Sequence, residues 1–183
     1  MGSAEPEEIA WKAFEQARST LSQKRQHWVV KHTSGACSVG KVMLQRKKWK
    51  NAKCPRCPTQ VETTTHVWQC QHIRANEIWD TAIDELRVWL AAQRTNSAVA
   101  DTICSRLKAW RSGNDLLPLQ THLLGLSQAV ATQDAIGWGV AIEGRWSLKW
   151  IEIQDRHFTN NSIRRTGRRW LTALIKKLWL IAS

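Results

Sequence analysis

The chain has 183 residues, 43% of them apolar, enough for one ordinary core and too many for wholesale disorder. Lysine and arginine number 27 against 15 acidic residues, and the net charge of +12 suits a polyanionic partner. Twelve tryptophans accompany two phenylalanines and no tyrosine, which excludes chemistry that needs a phenol.

In chain order, residues 5–22 are predicted as a helix, with Ile9, Phe14, Ala17 and Leu21 at helical spacing beside Trp11. The acidic N-terminus has no apolar signal core, so the chain is expected to stay inside the cell. Small and turn-forming residues make 33–40 a loop. Residues 41–49 read as a short helix with Val42, Met43 and Leu44 inward, and the prolines and cysteines of 51–60 force tight turns. The clearest helix is 72–92, where Ile73, Ile78, Ile83, Leu86, Trp89 and Leu90 mark an apolar face opposite Asp84 and Glu85. A helix over 97–110 carries Val99, Ile103, Leu107 and Trp110, and residues 111–115 end it. A third spans 116–133, with Pro118 near its start. Glycine-rich 136–150 reads as helix–turn–helix in preference to a hairpin, since no two-residue alternation persists. Residues 160–182 form a last helix, capped by Asn160, Asn161 or Ser162 and lined by Ile163, Trp170, Leu174, Leu178 and Ile181. It is still apolar at Ser183, as though the chain were cut there. No apolar run is long enough to cross a membrane.

The charge is uneven. Residues 23–53 hold nine basic and no acidic side chains, 71–115 hold six of each, and 141–183 hold nine basic against three acidic. Two basic blocks thus flank a neutral middle.

The sharpest chemical signal is Cys54-Pro-Arg-Cys57, eight further residues, then His66-Val-Trp-Gln-Cys70. Two cysteines three apart can share one metal, and His66 and Cys70, four apart, share a helix face. Four nitrogen and sulfur donors in two close pairs suit a structural Zn2+ and leave no open position for a catalytic water. In so short and polar a span the metal would supply much of the folding energy. His72 is a near neighbour that could stand in for His66 or Cys70. Cys104 falls on an apolar helix face and reads as packing, and His27 and His32 as surface or half-buried histidines.

These residues, together with Glu62-Thr63 between the ligand pairs, resemble the zinc-binding segment C-terminal to the polymerase of non-LTR retrotransposon reverse transcriptases. The stretch from Lys31 through Gly35, Gly40 and Met43 to Arg46 is similar to the basic lead-in of that family. The likeness covers residues 25–72, about a quarter of the chain. It departs from the family in having three residues, not four, between His66 and Cys70. Residues 136–179 resemble, more loosely, segments of large retroelement reading frames. The resemblance implies part of a mobile-element polyprotein that helps hold nucleic acid, with a polymerase region of the same polyprotein as partner. The polymerase active site of that family is missing from this chain, which has no tyrosine and no adjacent aspartate pair.

Other chemistry finds little support. Asp80, Asp84, Glu85 and Asp101 fall on solvent-facing helix positions and read as a solvated surface, not a two-metal nuclease site. No phosphate-cradling glycine loop or nucleophile elbow is present. The basic blocks are the better candidates for contact with RNA or DNA. The first comprises Lys41, Arg46, Lys47, Lys48, Lys50 and Lys53, with Arg56 inside the turn, and Trp49 either stacks on a base or packs. The second is Arg164, Arg165, Arg168 and Arg169, read as two face-sharing helical pairs. Trp79, Trp89, Trp110, Trp170 and Trp179 are assigned to the core, and Trp68 is expected to pack over the zinc turn.

The expectation is a mostly α fold with a small inserted zinc knuckle. Residues 1–50 form an N-terminal helix and basic lead-in, 51–72 the knuckle and 73–183 a helical C-terminal region. The expected function is non-catalytic, zinc-dependent nucleic-acid binding. The alternative is a zinc-stabilised helical protein–protein interaction module.

Overall fold

The computed structural model describes residues 8–114, 119 and 121–182. Among them the chain is all-helical, with ten helices and no extended strand. They are α1 Trp11–Ser19, α2 Gln23–Thr33, α3 Gly40–Gln45, α4 Thr64–Gln69 and α5 Ile73–Ala92. There follow α6 Ser97–Ser112, α7 Leu126–Ile136, α8 Trp138–Ile142, α9 Lys149–Asn160 and α10 Gly167–Ala182. Only isolated bridges, such as Lys53 with Val61, pair extended backbone. None of these helices is long and apolar enough to cross a membrane.

The strongest helix is where the periodicity places it. α5 buries Ala75, Trp79, Ile83, Leu86 and Leu90 against α6. The sequence reading put Ile73 and Ile78 on that face, but both are 68% exposed. The buried stripe runs through Ala75 and Trp79 at helical spacing, and Ile73 and Ile78 lie off it. α6 begins at Asn96, whose Oδ1 accepts from the amides of Ala98 and Val99, and ends at Gly113 in the left-handed region at φ 70°.

Several boundaries differ from expectation. Residues 23–33 form a helix, α2, that the weak apolar pattern did not announce; it buries only Val29 and His32. His32 is 2% exposed, not a surface residue, because Trp28 stacks on it at 4.7 Å and Trp68 meets it edge-on at 5.8 Å. The helix expected over 41–49 is shorter, and Lys47 takes a positive φ of 54° just past its end. α7 starts at Leu126, well inside the expected 116–133; Pro118 lies outside the described residues. The helix–turn–helix over 136–150 is present as α8, a turn and the start of α9.

The helix expected over 160–182 is two elements. Asn160–Ser162 close α9 instead of capping α10, and Ser162 reverses the chain at φ 54°. Thr166 caps α10, its Oγ1 accepting from the Arg169 amide at 3.2 Å. Gly167 shows why a glycine opens α10: a Cβ there would stand 2.3 Å from the Ile151 carbonyl oxygen on α9.

α10 is the central element, packed against α1, α9, α8 and α5. α1 returns to the C-terminal half, where Phe14 meets Trp179 edge-on at 5.3 Å and the Ala10 amide donates to the Trp146 carbonyl at 2.8 Å. Beneath the α8–α9 corner Trp138, Trp146 and Trp150 form a mutually edge-packed triangle with centroids 6.0–6.2 Å apart, each at most 1% exposed. Gln133 is buried beside it. Its oxygen accepts from the Ser147 amide and the Trp150 indole, and its amide donates to the carbonyls of Gly137 and Arg145. A buried polar group so fully bonded fixes the corner, its hydrogen bonds offsetting the cost of taking the amide out of water. Trp79, Trp170 and Trp179 are buried in the same core, and Trp89 and Trp110 pack on its edge.

Candidate metal centre

The segment 51–72 returns on itself before α4. The Cys54 amide donates to the Gln60 carbonyl and the Glu62 amide to the Ala52 carbonyl. Thr63 then starts α4, its Oγ1 accepting from the His66 amide at 3.0 Å. The short helix presents His66 and places Cys70 just past its end, facing the turn that carries Cys54 and Cys57.

The donor atoms of Cys54, Cys57, His66 and Cys70 all lie within 4.8 Å of one another, and such a cluster could hold a metal ion. Cys54 Sγ and Cys70 Sγ are 4.0 Å apart, Cys70 Sγ and Cys57 Sγ 3.5 Å, and Cys57 Sγ and His66 Nε2 3.0 Å. Cys54 and Cys70 are fully buried, His66 is 9% exposed and Cys57 is half-buried. Burial works against the Cys54 thiolate, but hydrogen bonds from the backbone of Cys57 and Arg56 and from the side chains of His66 and Cys57 hold the thiol down to about 6. Burial and the adjacent thiols push Cys57 up to about 11. His72 is not in the cluster; it caps α5, its Nδ1 accepting from the Arg74 amide at 3.3 Å.

Two residues around the cluster have roles that composition and spacing did not reveal. Glu62 is 8% exposed, and its Oε2 accepts from the Gly40 amide at 2.6 Å, tying the knuckle to the start of α3. Gly40 leaves room for this approach, since a Cβ would lie 2.7 Å from the Ala52 carbonyl oxygen. Arg111, 5% exposed on α6, donates to the Cys70 carbonyl and to Asn76 Oδ1, both at 2.8 Å, and its guanidinium sits over the Trp79 ring at 5.7 Å. The Glu62-Thr63 pair between the ligand halves was the only sequence signal for the first. Nothing in the local pattern around Arg111 distinguishes it from the exposed arginines.

The knuckle is linked to the helical core by an aromatic run. Trp68 on α4 stands 6.2 Å from Trp79, which stands 6.5 Å from Trp110. Trp68 packs on the core, with His32 on its other side.

The first basic block is carried by α3 and the turn after it. Lys41, Arg46, Lys47, Lys48, Lys50 and Lys53 are exposed, as is Trp49 at 44%, next to the cluster in sequence. Arg56 is half-buried and donates to the Val67 carbonyl at 3.3 Å. The second block is not gathered as expected. Arg164 and Arg165 precede α10, and only Arg168 and Arg169 lie on it. Arg165 turns inward, Nη1 donating to Gln93 Oε1 at 2.6 Å, while Arg164, Arg168 and Arg169 are exposed. Asp80, Asp84, Glu85 and Asp101 are all exposed and pair with Lys108, Lys177 and Arg87.

Comparison with protein-family models, curated proteins and solved structures finds no match to this chain.

Proposed function

We propose that this chain binds nucleic acid through a zinc knuckle, as a non-catalytic C-terminal part of a reverse-transcriptase-like retroelement protein. The observation that carries the reading is the Cys54, Cys57, His66, Cys70 cluster, with the exposed basic turn of 46–53 running directly into it and held there by the Glu62 amide, which donates to the Ala52 carbonyl. Zinc suits the donor set: three thiolates and one imidazole are its structural ligands, and Zn–S bonds of about 2.3 Å imply sulfur–sulfur edges of about 3.8 Å in a tetrahedron. The sulfur separations of 3.5 and 4.0 Å straddle that edge. Zinc here would hold the basic turn in place; RNA or DNA phosphates would meet the lysines and arginines with counterion release, and Trp49 could stack on an unpaired base.

The test is a metal assay and a binding isotherm on the same sample. One zinc per chain, lost in Cys54→Ser/Cys57→Ser, and RNA binding that weakens steeply with salt are expected. Full loading of the double variant, or binding indifferent to salt, would sink the reading. A second reading rests on α5, which leaves Ile73, Ile78 and Val88 exposed along its outer side. That pattern favours contact with another protein chain, and a salt-resistant dimer without RNA affinity would select it.

A further inference from the structure

We propose that the cleft between α4 and the α7–α8 corner receives one unpaired guanine base. The proposal deepens the nucleic-acid reading above and rests on it. The cleft measures about 500 Å³, within the range of small-ligand sites. Trp68 and Trp110 line it, both partly exposed, and both lean on Trp79, so the two indoles are held in place. Gly139 lets Trp110 lie close: a Cβ there would come within 3.0 Å of the ring. Trp138, Asp134 and Glu143 complete the polar end.

The charges decide the kind of occupant. Aromatic faces beside carboxylates often suit a cation. Here each carboxylate already has an arginine: Arg106 stands 3.7 Å from Asp134, and Arg145 pairs with Glu143. Asp134 also accepts from the Trp138 indole at 2.7 Å. The cleft therefore offers acceptors more than net negative charge. The Glu143 pair with Arg145 uses Oε2, and among the described residues no hydrogen bond falls on Oε1. A neutral, flat ligand with donors on its edge fits these groups. Guanine carries two adjacent donors, N1–H and the 2-amino group, which Glu143 can accept together, one on Oε1 and one on the second lone pair of the Oε2 that Arg145 already bonds. Uracil sets its single donor between two carbonyls that a carboxylate repels.

The experiment titrates zinc-loaded, 15N-labelled protein with uncharged nucleosides and follows the indole N–H signals, assigned through Trp68→Phe and Trp110→Phe. Guanosine should move the Trp68 and Trp110 signals and uridine should not. Inosine, which lacks the 2-amino group, should bind roughly tenfold more weakly, and Glu143→Gln should weaken guanosine by a similar factor. Silence with guanosine, equal responses to guanosine and uridine, or no loss with inosine would overturn the proposal; the inosine comparison needs no variant to fold. Salt-dependent RNA binding is measured separately. RNA bound without a guanosine response would end the cleft and leave the nucleic-acid reading standing. Guanosine bound without any RNA affinity would support the cleft and end that reading.

Discussion

Glu62 stands between the Cys54–Cys57 and His66–Cys70 pairs, yet its carboxylate serves the fold. It is buried against the amide that opens α3, and a carboxylate held by a backbone N–H gives a short, strong bond. Glu62→Ala leaves that amide without its partner, and we expect a loss of about 1–3 kcal/mol, read from denaturant unfolding of the metal-loaded protein. Glu62→Gln should recover part of it. His32 makes a prediction of the opposite kind. Burial pulls its imidazole below the ordinary 6.5, a backbone hydrogen bond to Ile142 resists, and no charged neighbour contributes. Its Nε2 has no partner among the described residues. The unfolded chain takes up a proton as pH falls through about 6.5, and the folded chain only at lower pH. The stability tied to the neutral ring is therefore complete above about 6.5 and is lost as pH falls toward the folded value. His32→Phe should reduce the loss of stability between pH 7.5 and 5.5 relative to the wild type. The difference between the two proteins is the measurement, because every other side chain is common to both. An unchanged slope would remove His32 as the cause.

At the scale of elements, the α9–α10 junction separates what pattern can and cannot show. The apolar periodicity of 170–181 is plain, and α10 buries Trp170, Leu171, Leu174, Ile175, Leu178 and Trp179. The same run of sequence also offered Asn160–Ser162 as a start, where the fold uses them as an end. The deciding contact is between helices: the Gly167 amide donates to Asp155 Oδ1 at 2.6 Å, and the backbone of α9 lies against it. Gly167→Ala must push α10 away from Ile151 and should destabilise by about 1–3 kcal/mol, visible as a lowered melting temperature. A neutral result would show that α10 shifts freely on α9. α2 illustrates the converse limit. It buries two side chains, and one of them is a histidine, so no apolar stripe announced it. Its place depends on His32, stacked on Trp28, meeting Trp68, a contact 36 residues away along the chain from His32.

For the whole molecule, two apolar clusters differ greatly in size. The main core joins α1 to α10, whereas Cys54, Cys70 and Ala75, with Cys57 at their edge, form a small cluster of their own. Cys54, Cys57 and Cys70 take no part in the larger one. Chelation should therefore melt residues 51–72 while the tryptophan triangle under α8 and α9 persists. Far-ultraviolet circular dichroism should fall by about one short helix, and the near-ultraviolet tryptophan signal should largely remain. Cooperative loss of both signals would mean that the knuckle and the core fold as one unit.

The sequence by itself determined the helical class and the four residues of the cluster that could hold a metal ion, because both are written locally. Helical periodicity repeats every few residues, and C-x2-C with H-x3-C brings its donors together through short turns and one helix. It also determined that α5, α6 and the body of α10 exist, since long apolar stripes can be buried in few ways. Only the tertiary structure decided which isoleucines of α5 face out, that His32 is enclosed, that Arg165 bonds to Gln93 and that Arg111 holds the carbonyl of Cys70. The last three depend on groups 36 to 72 residues apart meeting in space, and burial, charge and hydrogen bonding there follow from the neighbour rather than from the local pattern.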